Sequence, residues 1–243
     1  MSAGKTVKEL RKPRVLGLIP AKGSSTRLFK KNIRLLEGRP LIAWAADAAT
    51  NSGVIDRTIL STESKEIEAV ASAWGIDVPF MRPAYLAKNP YGIVDVALHA
   101  LDTLETQNDV FDRLIILLPT APLRTGDDIR NAYNLFDKKK GKFLMSVSEY
   151  SQAPFTAMNI DKREFLRPCF PEFLQLQSQK FPKAYCANGA IHILDIQAFR
   201  ETGDYYSDPL IPFVMPIEKS ADIDTELDYK WVQFLLRNTT GTK

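Results

Sequence analysis

The sequence predicts an α/β fold: a mostly parallel sheet with helices on both faces. Short apolar runs typical of buried strands alternate along the chain with longer segments in which apolar residues recur every three to four positions. A length of 243 residues, with 45% hydrophobic and 25% charged residues, suits one domain with a sizeable core. Ligands of such sheets bind beyond the carboxyl ends of the strands. We therefore expect the loops after Ile19, Ser61 and Leu118 to converge on a site.

Each predicted strand is a short apolar or branched run between turn-forming residues. The strands are Val15–Pro20, Arg57–Ser61, 79–81, 113–118, 143–147, 190–194 and 213–216. Each predicted helix has apolar residues at the helical spacing. The helices are 41–49, 66–74, 94–104, 129–136 and 227–235. Pro40 favours the start of the first helix and Gly75 the end of the second. One face of the last helix carries Leu227, Trp231, Phe234 and Leu235.

We expect a flexible basic tail at residues 1–13, followed by a single domain at residues 14–243. Residues 151–187, called the insertion below, break the alternation with four prolines and five phenylalanines. A long apolar segment of this kind often forms a lid or a subunit contact. We predict that it is the dimerisation surface of a homodimer, and the alternative is a packed surface loop.

Composition excludes several classes of protein. The net charge of +3 is small and comes from the first residues, which argues against a nucleic-acid-binding body. The chain has neither an apolar run of ~18 residues nor a secretory apolar segment before Val15, so we expect no membrane partner. Cys169 and Cys186 have no metal-ligand spacing, which favours a cytoplasmic protein. Of the two histidines, His99 is expected to be packed rather than functional.

The loop after the first strand is small and basic. Residues 21–32 read AKGSSTRLFKKN. Backbone N–H groups of Gly and Ser approach an anion closely, and Lys and Arg neutralise its charge. The loop lacks the spacing of the P-loop and of the dinucleotide-binding motif. It therefore favours a nucleotide triphosphate site of a looser kind, and the alternative is a solvated turn.

Six collinear segments resemble the acylneuraminate cytidylyltransferases, or CMP-sialic acid synthetases. They are IPAKGSSTR at 19–27 with KN at 31–32, LST at 60–62, RP at 82–83, PTAPLR at 119–124, NGAI at 188–191 and DIDTELD at 222–228. The resemblance covers nearly the whole chain. It implies a Rossmann-like nucleotidyltransferase fold and a Mg²⁺-dependent enzyme. Such an enzyme joins CTP to a nonulosonic acid, a nine-carbon acidic keto-sugar, and releases pyrophosphate.

The resemblance also implies site residues on the nucleotide side. Nucleotide-binding residues are Ala21, Lys22, Gly23, Ser24, Arg27, Lys31, Asn32 and Arg82. Lys22 and Arg27 are implied as catalytic phosphate clamps, and Asp224 as a catalytic carboxylate that helps to deprotonate the sugar. Asp222 and Asp224 are implied as Mg²⁺ ligands; residues two apart in an extended segment face the same way, and Mg²⁺ prefers oxygen ligands.

Local alternatives remain open for these acids and for Arg82. Acids before a helix stabilise its dipole, and Thr225 with Asp228 fits a capping box. Arg82 is alternatively a surface residue before the turn at Pro83.

The implied sugar side departs from the family pattern. Its residues are Leu118, Thr120, Arg124, Asn188, His192, Tyr205 and Tyr206. The family commonly has Gln at position 118, a basic residue at 186, Tyr at 192 and Lys near 156, whereas this chain has Leu118, Cys186, His192 and Thr156. On the nucleotide side Lys22 and Thr26 stand where Arg and Lys are common.

These departures predict a sugar other than N-acetylneuraminic acid. A deoxygenated relative such as legionaminic or pseudaminic acid is the main interpretation. Because a carboxylate without a cation is costly to desolvate, Arg167 or Lys183 is a candidate replacement cation. A rival substrate is a 3-deoxy-octulosonic acid, and a rival class is a non-catalytic nucleotide-binding paralogue.

Overall fold

The computed structural model describes residues 11–25 and 27–239. The expectations for residues 1–10 and for Thr26 therefore lie outside the described residues. The strands are β1 (Val15–Pro20), β2 (Leu35–Leu36), β3 (Arg39–Pro40), β4 (Arg57–Ser61), β5 (Arg113–Ile116), β6 (Phe143–Glu149), β7 (Met158–Ile160), β8 (Leu166–Pro168), β9 (Tyr185–Asp195) and β10 (Leu210–Val214). The α-helices are α1 (Leu41–Ser52), α2 (Lys65–Ala73), α3 (Ile93–Thr106), α4 (Gly126–Lys138), α5 (Ile196–Thr202) and α6 (Glu226–Thr239). Short 3-10 helices lie at Lys31–Ile33, Ala84–Ala87, Pro154–Thr156, Pro171–Phe173, Ser178–Lys180 and Ile217–Lys219.

Six strands form one sheet in the order β10-β6-β9-β5-β1-β4. β9 runs antiparallel to both of its neighbours, whereas the other pairs are parallel. The prediction of a mostly parallel α/β sheet is confirmed.

The core has one layer on each face of the sheet because strand side chains alternate. Ile19 points to the layer that also contains residues of α1, α2 and α4. Leu18 points to the opposite layer, which contains residues of α3 and α5. The prediction of helices on both faces is therefore confirmed, and the sheet leaves its carboxyl edge free for loops.

Three local predictions were wrong. Residues 79–81 form no strand, because Pro79 lacks an N–H donor and the segment has one isolated bridge, from Met81 to Thr62 just after β4. The last strand, predicted at 213–216, is β10, which begins three residues earlier at Leu210 and ends at Val214, before Pro216. On α6 the face that packs on the core carries Tyr229, Val232 and Leu235, whereas Leu227, Trp231 and Phe234 are exposed.

The insertion connects β6 to β9. Its centre is a cluster of four aromatic rings, in which Phe155 stacks on Phe173 at 4.3 Å and Phe170 and Phe181 meet Phe155 edge-on. β7 and β8 form a hairpin beside this cluster. Residues 185–187 belong to β9, so the predicted insertion overlaps this strand by three residues. None of the helices in the described part of the chain is long and apolar enough to cross a membrane.

Candidate active site

A cleft of about 420 Å³ opens at the carboxyl ends of β1 and β5. Its lining includes these predicted site residues: Lys22, Arg27, Lys31, Asn32, Arg82, Leu118, Thr120, Asp222 and Asp224. The loops after Ile19 and Leu118 therefore converge as expected, whereas the loop after Ser61 contributes no residue to this lining. An apolar wall that the sequence did not reveal comes from the loop before α3 and the first turns of that helix, and includes Leu86, Ile93 and Val96.

The loop after β1 is closed on itself by Asn32. The Asn32 side chain is buried and its amide donates a hydrogen bond to the Lys22 carbonyl at 2.8 Å. Lys30, at φ 49°, turns the chain into the short helix that carries Lys31 and Asn32. A Cβ at Gly23 would lie 2.9 Å from the Ser64 Cβ, so this position requires glycine. Asn32 thus shapes the loop that presents Lys22.

Arg82 is buried, so the alternative of a surface arginine is wrong. Its Nε and Nη2 atoms donate to Glu63 Oε2 at 3.1 and 2.6 Å. Glu63 Oε1 accepts from the backbone N–H of Gly23 at 2.7 Å. Sequence reasoning missed Glu63, although it directly follows the LST motif. One carboxylate therefore joins the loop after β1 to the arginine that faces the cleft.

Asp224 is the meeting point of two predicted phosphate-binding cations. Its carboxylate forms a salt bridge with Arg27 Nη1 at 2.8 Å and accepts a hydrogen bond from Lys31 Nζ at 2.7 Å. Between the two acids Ile223 is fully buried, and its N–H donates to the Thr120 carbonyl at 2.8 Å. Asp222 and Asp224 therefore both face the cleft, as the alternation of an extended segment predicts.

The capping box predicted from Thr225 and Asp228 is present. Asp228 accepts from the N–H and the hydroxyl of Thr225 at 2.7 and 2.8 Å, and so caps α6. Asp224 takes part in this cap through its backbone, since its N–H also donates to Asp228 Oδ2 at 3.1 Å.

The two cleft acids fit a magnesium ion. Burial raises the pKa of Asp222, and the negative charge of Asp224 raises it further, although Thr120 donates a hydrogen bond to it. A divalent cation would relieve this repulsion. No group of three His, Cys, Asp or Glu side chains suited to a metal occurs among residues 11–25 and 27–239. Mg²⁺ usually takes only one or two carboxylates besides phosphate and water, so two acids are sufficient.

Two of the predicted sugar-side residues lie behind the surface. Arg124 is 3% exposed, and its Nη1 donates to the carbonyls of Leu118 and Ala190 at 2.9 Å each. Burial lowers its pKa to about 9. Asn188 accepts from the Ser146 hydroxyl at 2.6 Å and donates to the Ser220 hydroxyl at 2.9 Å. Both side chains hold backbone and loop segments in place around the cleft.

The remaining sugar-side residues form an aromatic group. Burial, and then the charge of Arg124, lowers the pKa of His192 to about 4, so its imidazole is neutral at pH 7. The His192 ring meets Tyr205 edge-on at 5.2 Å, and Tyr205 lies 4.5 Å from Tyr206. The candidate replacement cations are engaged elsewhere: Arg167 pairs with Asp161 and Lys183 with Glu149, each at 3.0 Å.

Comparison with known proteins decides the family. A cytidylyltransferase family model matches residues 16–89. The chain is 34% identical to a CMP-N,N'-diacetyllegionaminic acid synthase of Legionella pneumophila, with 92% of this chain and 96% of that protein covered. The chain belongs to the CMP-nonulosonic acid synthetase family.

Other members and fold neighbours agree with this placement. A pseudaminic acid cytidylyltransferase of Campylobacter jejuni is 31% identical over 91% of this chain and 96% of that protein. A solved CMP:2-keto-3-deoxy-manno-octonic acid synthetase complexed with CTP superposes with a TM-score of 0.70, covering 93% of this chain and 99% of that one. At 14% identity this neighbour shows the nucleotidyltransferase fold alone. As a CMP-nonulosonic acid synthetase family member the chain is a cytidylyltransferase, which confirms the predicted enzyme class.

Proposed function

We propose that this chain transfers CMP from CTP to a nonulosonic acid with the aid of Mg²⁺. The observation that carries the proposal is the meeting of Arg27, Lys31 and Asp224 beside Asp222 in one cleft. Cations for a triphosphate and paired carboxylates for a metal are what this transfer needs. The printed activities of the two relatives are of the same kind.

The chain's own residues supply charge and orientation. Lys22, Arg27 and Lys31 neutralise the triphosphate, and Asp222 with Asp224 would hold the magnesium ion. When bound, that ion neutralises phosphate charge during the displacement. The anomeric oxygen of the sugar forms a bond to the α-phosphorus, and the bond from that phosphorus to the bridging oxygen breaks to release pyrophosphate. The hydroxyl proton passes to Asp224, whose carboxylate faces the cleft.

The ligand-free site has its charges internally paired. Asp224 forms ion pairs with Arg27 and Lys31, the cations that the triphosphate needs. When phosphate and a divalent cation bind together, the phosphate pairs with Arg27 and Lys31 and the divalent cation pairs with Asp224. We therefore expect CTP and Mg²⁺ to strengthen each other's binding.

A deoxygenated nonulosonic acid is the proposed sugar. Leu118 lines the cleft, and neutral His192 packs with the Tyr205–Tyr206 pair in an aromatic group. An uncharged sugar side of this kind suits a substrate with fewer hydroxyl groups. The relatives that act on legionaminic and pseudaminic acids support this choice. The 3-deoxy-octulosonic rival rests on the Ser-x-Arg-Leu order at residues 25–28 and on a likeness in fold. The non-catalytic rival does not explain why both cleft acids are present.

Pyrophosphate release tests the proposal. Purified protein is mixed with CTP, Mg²⁺ and one of a panel of acidic sugars: legionaminic, pseudaminic, N-acetylneuraminic and 3-deoxy-octulosonic acids. We expect release that requires Mg²⁺ and is fastest with a deoxygenated nonulosonic acid. Equal rates with N-acetylneuraminic acid would contradict the sugar assignment, and release with the octulosonic acid alone would favour the rival.

Two substitutions make the test specific to the site. Asp224→Ala should reduce turnover by at least about 100-fold while leaving the fold intact, because Asp224 faces the cleft rather than the core. Glu226→Ala is the matched control, since it removes a neighbouring acid that pairs with Arg34 and does not line the cleft. It should change stability little and keep most of the activity. Normal turnover in Asp224→Ala would contradict the assignment of this carboxylate.

A further inference from the structure

Glu63 connects the two parts of the cleft that would bind the two ends of a nucleotide. It follows β4, and its carboxylate accepts three hydrogen bonds: one from the Gly23 N–H and two from the Arg82 guanidinium. The Glu63 side chain is 13% exposed, and Arg82 lines the cleft. Glu63 therefore acts on the cleft through the residues that it holds.

The Glu63–Arg82 ion pair compensates the charge of the arginine and sets the orientation of its guanidinium plane. A buried guanidinium without a counter-charge is costly, and here Glu63 supplies that charge. With Nε and Nη2 both directed at Oε2, the guanidinium plane is set, and Nη1 is the nitrogen left for a ligand. Because its charge is already compensated, Arg82 suits a neutral acceptor on a base, such as the unprotonated N3 of cytosine, better than a phosphate.

The other carboxylate oxygen fixes the phosphate loop. Glu63 Oε1 holds the N–H of Gly23, next to Lys22. Any shift of Arg82 toward or away from a base therefore pulls on the segment that presents Lys22. A carboxylate is needed for this double role, since each of its two oxygens accepts from a different partner.

We propose that Glu63 is a positioning residue for nucleotide recognition. It aligns Arg82 with the base and couples that alignment to the loop that holds the triphosphate. The proposal rests on the proposed function for the identity of the nucleotide. It assigns to Glu63 the discrimination between CTP and UTP, because the fixed N–H donor of Arg82 can bond to N3 of cytosine, whereas N3 of uracil carries a proton and is itself a donor.

Replacement by glutamine tests the coupling. In Glu63→Gln the side chain keeps its length but has one acceptor oxygen, so either Gly23 or Arg82 loses its partner. We expect the dissociation constant of CTP to rise about ten-fold or more, the CTP-to-UTP preference to fall, and the KM of the sugar and kcat at saturating CTP to change little. Glu63→Asp, which keeps the charge but is one methylene shorter, should fold and show the same pattern more weakly.

Calorimetric titration of CTP and UTP without sugar is the main measurement. Glu68→Gln, which removes an acid from α2 one turn further along the chain, is the matched control and should leave both affinities unchanged. An unchanged CTP affinity and CTP-to-UTP ratio in folded Glu63→Gln and Glu63→Asp would overturn the proposal. So would an equal loss of kcat, sugar affinity and melting temperature, which indicates a general structural role. Tight CTP binding by wild type without turnover of any sugar would contradict the proposed function and leave this inference standing.

Discussion

His192 shows how burial decides the charge of a single side chain. Its imidazole is buried against Tyr205 and lies near Arg124, and its pKa is about 4. In the unfolded chain a histidine has a pKa of about 6.5. The folded protein therefore keeps a neutral ring over a pH range in which the unfolded chain takes up a proton.

This difference predicts a pH-dependent stability. A depressed folded pKa contributes stability that is fully present above pH 6.5 and is lost as pH falls toward 4, because the unfolded state binds the proton. Between pH 7.5 and pH 5, the free energy of unfolding of wild type should fall about 2 kcal/mol more than that of His192→Gln. Urea unfolding at the two pH values measures this. The partly buried His99 provides the control variant His99→Gln, which should keep most of the pH dependence; identical curves for wild type and His192→Gln would refute the assignment.

The sequence was sufficient to predict site residues whose type and spacing already indicate their role. It was not sufficient for residues whose role depends on which side chains they contact in the folded protein. Asp222 and Asp224 followed from their spacing and from the family resemblance. Glu63 did not, because its role depends on Gly23 and Arg82, which only the packing of the loops beside β4 brings to it. For the same reason the contacts of Asn32 and Asn188 with loop segments could not be derived from the sequence.

At the scale of elements, α1 and α4 approach so closely that one position has no room for a side chain. A Cβ on Gly126, the first residue of α4, would lie 2.5 Å from the Asn51 carbonyl carbon and 2.8 Å from the Ser52 nitrogen. Arg130 reinforces this junction by donating to the carbonyls of Asn51 and Ser52 at 2.8 Å each. Because the opposing atoms belong to the backbone, neither helix can make room for a side chain at position 126 unless the whole helix moves.

Gly126→Ala should therefore destabilise the protein, although alanine is the better helix former. We expect a loss of about 1–3 kcal/mol, or several degrees in melting temperature. Gly92→Ala is the control, because its Cβ would meet open space and its φ of −124° is accessible to any residue. Differential scanning calorimetry compares the two. A melting temperature for Gly126→Ala at or above that of wild type would show that the helices separate easily.

Local sequence patterns predicted most elements but not how they pair. β1 and β4 have the predicted bounds, and five predicted helices are present with shifted ends. The direction of β9 and its place between β5 and β6 depend on pairing between distant residues, which periodicity does not encode. Proline explains the error at 79–81, since a missing donor outweighed the apolar pattern.

At the scale of the whole molecule, the insertion remains the proposed dimer contact. Its β7–β8 hairpin exposes Ile160 and Leu166 at 72% and 66%, and Phe165 beside them at 60%. Apolar side chains grouped in this way are typical of interaction surfaces. The cytoplasmic location and the tail at residues 1–13 stay predictions.

Negative charge introduced by substitution on the β7–β8 hairpin should prevent the subunits from associating. We expect wild type to be a dimer in solution, and Ile160→Glu combined with Leu166→Glu to be a folded monomer, because a second copy would bury these side chains. Trp231→Glu combined with Phe234→Glu, on the exposed face of α6, is the control and should stay dimeric. Size-exclusion chromatography with light scattering measures both. A monomeric wild type, or dissociation by the α6 pair instead, would contradict the assignment.

The reversal of β9 has a consequence for how the enzyme would respond to dilution. Because β6 ends and β9 begins at the same edge of the sheet, the insertion leaves and re-enters the fold at the edge where the cleft opens. A neighbouring subunit docked there would stand beside the sugar side and far from β4 and α2. Dissociation of the subunits on dilution would then change the binding of the sugar more than the binding of the nucleotide. The direction of β9 thus links subunit assembly to only one of the two substrates.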